Sequence, residues 1–204
     1  MRSTTPVHSG RFIFHPTPLE GLWLMHDIPM QDERGSFSRL YCRDDWQGIG
    51  LATPIAQINQ STTAGAGTIR GLHFQHPPHA ETKAVRCVAG AVFDVAVDVR
   101  RGSATYLQWY GVRLSAGDAK SLIIPPGFAH GFQCLEPASS LMYFVTAAFA
   151  PQAEDGLHPL DPALGIEWPL PCTMMSPKDE GRKKLADRAF SGVALAAEPW
   201  NLSD

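Results

Sequence analysis

Residues 91–99 alternate with a period of two. Phe93, Val95, Val97 and Val99 share one face, and Asp94 and Asp98 share the other. This pattern predicts a strand. Arg100-Arg101-Gly102-Ser103 then makes a turn, and further strands are predicted over 105–114, 120–124, 132–135 and 141–146. Upstream, 12–25 mixes β-formers with Pro16, Pro18 and Gly21, which predicts an edge strand interrupted by turns. Asp32-Glu33-Arg34-Gly35 reads as a turn, 36–42 as a short strand, and 44–48 as one helical turn with Asp44 as its cap. Residues 1–10 read as a loose lead. Short strands parted by turns about every 8 to 12 residues predict an all-β fold, an antiparallel sandwich or barrel. From 150 onward the pattern breaks. Pro151, Pro159, Pro162, Pro169, Pro171 and Pro177 predict an irregular tail, with a short terminal helix over 178–190.

Composition sharpens this picture. The 204 residues suit one domain spanning 1–204, with a core over about 15–180 and a tail over 181–204. The 18 glycines and 17 prolines favour turns over long helices. A net charge of −3 argues against a protein that coats nucleic acid or an acidic membrane. No apolar run is long enough to span a bilayer, and no apolar stretch follows Arg2 as a secretory signal needs. Cys42, Cys87, Cys134 and Cys172 are too widely spaced for a zinc motif or a small disulfide scaffold. Four free thiols in a reducing cytoplasm are expected. Neither a P-loop nor a dinucleotide-binding glycine fingerprint occurs, so any phosphate must be held by side chains.

Five features carry candidate chemistry. In Arg70-Gly71-Leu72-His73-Phe74-Gln75, regular alternation places Arg70, Leu72 and Phe74 on one face and Gly71, His73 and Gln75 on the other. A histidine inside a small barrel is either a hydrogen-bonded core residue or a general base. Ile124-Pro125-Pro126-Gly127-Phe128-Ala129-His130-Gly131-Phe132 contains P-x-G-x-x-H, the core of the second cupin motif. The first motif, which should supply a metal-binding H-x-H, is replaced by H-x-x-H-x-E over 76–81. That spacing does not aim both histidines one way along a strand, so no metal is expected. Arg34, Arg70 and Lys83 are local cations, either surface charges or phosphate ligands. Tyr143, in an apolar strand, is either a packed residue or a proton donor. Asp179 is either a solvated turn acid or the partner of a distant histidine.

The segments 70–75, 83–87, 92–100 and 124–132 together resemble the dTDP-4-dehydrorhamnose 3,5-epimerase family. The likeness extends to Asp32-Glu33-Arg34-Gly35, Asp161-Pro162, 165–169 and Ser-x-Lys-Asp at 176–179, covering roughly 15–180. The resemblance implies a cupin-type jelly roll with short peripheral helices, usually a homodimer, working without metal or organic cofactor on a nucleotide-sugar. It implies His73 as base, Asp179 as its partner, Tyr143 as proton donor and Lys83 as the cation that stabilises an enolate. It assigns Arg34, Arg70, Gln57 and Asn59 to the diphosphate and nucleotide, and His130 to the active-site cavity. The expected reaction is epimerisation at the carbons flanking the ketone of a 4-keto-6-deoxy sugar. The alternatives are a single-site epimerase or ketoisomerase on a CDP- or GDP-linked sugar, or a non-catalytic or metal-binding module of the same fold. The chain departs from the family at Ser36, Arg39, Phe144, Ala148 and Phe149, positions bearing on which base is gripped.

Overall fold

In the computed structural model, residues 5–51 and 53–195 are described. Seven strands form one antiparallel sheet: β1 (Val7–Ser9), β2 (Phe12–Pro16), β3 (Trp23–Asp27), β6 (Gln57–Thr63), β8 (Lys83–Ala89), β11 (Lys120–Ile124) and β13 (Ser139–Val145). Their spatial order is β1-β2-β3-β11-β8-β13-β6. The opposing sheet runs β10-β9-β12-β7-β14, from β7 (Ile69–Gln75), β9 (Ala91–Asp98), β10 (Trp109–Ser115), β12 (Phe128–Cys134) and β14 (Glu154–Gly156). A separate hairpin joins β4 (Met30–Asp32) to β5 (Gly35–Phe37). All pairings between these strands are antiparallel, and neighbours are often distant in sequence, as a jelly roll requires.

Three apolar clusters follow from this layering. Between the sheets, Val85, Cys87, Leu122 and Leu141 meet Val92, Ala96, Phe128 and Phe132. Outside the seven-stranded sheet, Phe12, Phe14, Met25 and Phe144 are covered by Trp46, Ile49 and Leu51. Outside the five-stranded sheet, Leu72, Phe74, Val95, Val97 and Val99 are covered by Leu157, Leu164, Trp168 and Phe190 of the tail. Both faces of β9 are therefore buried, and its aspartates face inward. Asp98 is neutralised by Arg100 and held by the Ser103 and Thr105 hydroxyls. Burial pushes its carboxyl pKa up, but these bonds outweigh burial and leave it below the usual range.

Several expected boundaries move. The lead contributes β1, since Val7–Ser9 pairs with β2. The stretch 12–25 becomes two strands, β2 and β3, with β3 inside the sheet rather than at its edge. The strand expected over 36–42 ends at Phe37. Helix α1 (Arg43–Gln47) is capped at Cys42 without a side-chain bond, so Asp44 sits in its first turn and is not the cap. Residues 105–108 turn before β10 begins. The terminal helix shrinks to α2 (Pro177–Glu180) and a 3-10 turn at Leu185–Asp187. Ser176 caps α2 by accepting the Asp179 N–H at 3.1 Å.

Candidate active site

His73 and His130 lie opposite each other on β7 and β12, and so share the inner face of the five-stranded sheet. Tyr143 lies on β13 of the other sheet, packed on the same core, and its ring meets His130 edge-on at 6.1 Å. A cavity of about 740 Å³ opens beside this group, lined by Arg70, His73, Met174, Met175 and Asp179 among others.

Strand β7 is not regular. The peptide between Gly71 and Leu72 is cis, and the register with β12 shifts between His130 and Phe132. Leu72 and Phe74 face the tail as alternation predicts, but Arg70 lines the cavity with His73. Two residues three apart cannot share a face of a regular strand. The register shift corrects the expected grouping of Arg70 with Leu72 and Phe74. Gly71 has φ +108°, and a Cβ there would meet the His130 carbonyl oxygen at 2.6 Å. Only glycine fits.

Asp179 sits at the centre of a small network. Its Oδ1 is 2.6 Å from His73 Nε2, and its Oδ2 accepts the Gly71 N–H at 3.3 Å. Burial pushes its carboxyl pKa up, but the bonds from His73, the Ser176 cap and Gly71 reverse this and hold it below the usual range. An ionised Asp179 can only accept, so His73 Nε2 carries a proton and donates it to Oδ1. His130 forms a second pair, Nε2 to Asp94 Oδ1 at 2.8 Å, sealed from solvent.

The Tyr143 hydroxyl is 3.0 Å from Ser61 Oγ. Burial, with the Asp94 charge adding to it, pushes the phenol pKa up to about 12 against the opposing effects of Ser61 and Arg70. Tyr143 therefore keeps its proton at neutral pH.

The other predicted residues scatter. Lys83 faces inward from β8, but it lines a separate crevice beside Gln75 and Phe128, with Glu81 at 3.1 Å. Gln57 accepts the Phe149 N–H at 2.8 Å. Asn59, opposite Tyr143, is exposed on the edge strand β6. Arg34 sits at the tip of the β4–β5 hairpin, bound to Asp32 and outside the cavity. Of the two motif histidines, His76 faces outward against Phe74 and approaches Asp155 at 3.4 Å. His79 lies in the following turn and accepts through its carbonyl from Gln75. Among the described residues, no three His, Cys, Asp or Glu side chains group closely enough to ligate a metal. Sequence reasoning missed Ser61, which no pattern marks. It also gave no site role to Asp94, whose only signal is its place in the β9 alternation.

Comparison with known proteins agrees with this fold. Residues 16–187 match the family model described as dTDP-4-dehydrorhamnose 3,5-epimerase. A dTDP-4-dehydrorhamnose 3-epimerase of Streptomyces niveus is 37% identical over 179 residues, 87% of this chain and 86% of that protein. A dTDP-4-dehydrorhamnose 3,5-epimerase of Sinorhizobium fredii is 44% identical over 162 residues, 78% and 83%. The crystal structure of a dTDP-6-deoxy-D-glucose-3,5-epimerase from Legionella pneumophila, in complex with dTDP-4-keto-L-rhamnose, superposes with a TM-score of 0.84 at 36% identity, covering 91% of this chain and 100% of that one. With the fold, the motifs and the sequence relationship in accord, the chain belongs to the dTDP-4-dehydrorhamnose 3,5-epimerase family.

Proposed function

We propose that the protein epimerises a dTDP-linked 4-keto-6-deoxy sugar at the carbons flanking its ketone. The observation that carries this is the placement of His73 and Tyr143 on opposing sheets around one interior, joined through His130. Inversion needs a base on one side of the sugar ring and an acid on the other. His73 Nδ1 removes the proton made acidic by the ketone, and Tyr143 returns one from the opposite face. Lys83 projects inward from β8 and supplies the cation for the developing oxyanion once its ammonium turns from Glu81 and its crevice toward the substrate. Arg70 holds the diphosphate at the cavity mouth, with Gln57 and Asn59 along β6 toward the nucleotide.

The departures from the family bear unequally on the substrate. Phe144 packs outside the seven-stranded sheet, so it belongs to the core rather than to the base-binding rim. Arg39 pairs with Asp45 at 3.6 Å. Phe149 stays exposed beside Gln57 and offers an aromatic face to a base. An aromatic face stacks on any base, so we keep dTDP as the nucleotide on the names of the relatives. We extend the reading to a homodimer, because Arg34 has no place in the cavity of its own chain and its hairpin exposes Met30 and Phe37. Four free cysteines suit a cytoplasmic site of action.

A second reading has an observation behind it, since the S. niveus relative is named a 3-epimerase. Proton NMR in heavy water with dTDP-4-keto-6-deoxyglucose separates the two. Deuterium at both carbons beside the ketone is expected. Deuterium at one carbon alone establishes single-site epimerisation, and no exchange at either carbon rejects the assignment.

A further inference from the structure

Behind the His73–Asp179 pair lies a buried cation. Arg182 follows α2, and its side chain is only 11% exposed. Three carboxylates surround it: Asp179 Oδ1, Glu154 Oε1 and Asp155 Oδ1, each at 3.7 Å. At that distance Nε and Nη2 make no hydrogen bond, so Arg182 acts on its neighbours as a charge. The fold makes room for it. Gly156, opposite His73 on β14, has no side chain, and a Cβ there would lie 2.5 Å from the Arg182 guanidinium carbon.

The oxygen that Arg182 approaches is the one that His73 bonds. Arg182 Nε is thus no more than about 6.3 Å from His73 Nε2. We propose that Arg182 is a positioning residue that keeps the His73 imidazole unprotonated by offsetting the charge on Asp179. The proposal rests on the reading of His73 as the base.

The sign follows from the groups around the ring. His73 faces Asp179 from α2, His130 from β12 with Asp94 behind it, and Arg70 from its own strand; Tyr143 of β13 lies against His130. Glu154 and Asp155 on β14 stand behind Asp179. Lys178 and His76 reach these carboxylates only from exposed positions, and Arg188 is committed to Asp155 and the Gly156 carbonyl. Removing Arg182 leaves three carboxylates with less compensation, and the field then favours imidazolium.

The test is the acid limb of kcat/KM against pH, read beside the NMR titration of the His73 ring in the substrate-free protein, assigned with His73→Asn. Arg182→Gln is expected to raise both midpoints by about one unit, a tenfold change in proton affinity. Arg182→Lys, which keeps the charge, is expected to leave them near the wild-type values. Glu154→Gln should shift them down by a smaller amount, and it decides the matter if Arg182→Gln does not fold. A fall in kcat with unmoved midpoints in Arg182→Gln overturns the proposal, as does an unmoved midpoint in Glu154→Gln where that variant must decide. The ring titration needs no turnover, so an inactive wild type refutes the epimerase reading while leaving this one measurable.

Discussion

Two histidine–aspartate pairs stand side by side across one strand boundary, and they differ in their access to solvent. His73–Asp179 and His130–Asp94 have similar bond lengths, 2.6 and 2.8 Å, and the two histidines are direct cross-strand neighbours. Yet the His73 side chain is 35% exposed and the His130 side chain 6%. Asp179 uses both oxygens, one on His73 and one on Gly71. Asp94 uses one, and its Oδ2 is buried without a hydrogen-bond partner. Similar chemistry thus takes its role from access. The first pair presents a free imidazole nitrogen to the cavity. The second braces Tyr143 from within.

The largest effect should separate the two histidines outright. His73→Ala is expected to lower kcat/KM by about 10³-fold or more, with the folded state intact by circular dichroism. His130→Asn should cost about tenfold, because it changes packing around Tyr143 rather than proton transfer. Equal losses in the two variants break the distinction between a working pair and a bracing pair. Next in size is Tyr143→Phe, which should slow net inversion by roughly 10²-fold or more while solvent deuterium still enters on the His73 side. If exchange and inversion fall together, the phenol is not the proton donor.

How far the sequence could be read depended on whether the signal was local. The limits of β11 match the reading of 120–124, because an apolar run between a turn and a Pro-Pro-Gly segment leaves little freedom. The alternation over 91–99 was equally plain, though not that its aspartates face inward, which depends on the tail covering the opposite face. His73 and Asp179 are 106 residues apart, and only resemblance to a family linked them. Arg70 was assigned to the wrong face because alternation cannot register a shift at Gly71. The helix expected over 178–190 failed for a local reason, since Gly181 ends α2 after one turn. Nothing in the sequence marks Ser61 or Arg182, whose roles exist only once distant strands meet.

A smaller effect probes the Asp179 pair through pH. Its folded-state pKa is depressed, so its contribution to stability is present above the unfolded value of about 4. That contribution is lost as pH falls through the folded value. In Asp179→Asn this part of the acid dependence should vanish, reducing the slope of unfolding free energy against pH below about 4, where Asp98 and Asp155 still contribute. Turnover at neutral pH should drop about 10²-fold, because an amide no longer stabilises imidazolium. A variant with the wild-type acid profile breaks the claim that the folded protein favours ionised Asp179.

The smallest expected effect is the one that depends most on the comparison. Replacing a carboxylate by an amide turns one acceptor oxygen into an NH2 donor. At Asp179 neither position is free: the amide nitrogen either faces the Gly71 N–H, donor against donor, or donates to His73 Nε2 and drives the ring proton to Nδ1, the wrong tautomer for a base. At Asp94 one position is free. An asparagine there can keep its oxygen on His130 and place its NH2 where Oδ2 now has no partner. It also removes a buried charge whose desolvation is costly. Asp94→Asn should therefore leave chemical stability within about 1 kcal/mol of wild type and activity within about tenfold. A loss in Asp94→Asn as large as in Asp179→Asn shows that the Asp94 charge itself is needed, and makes the buried pair an active partner in proton transfer rather than a brace.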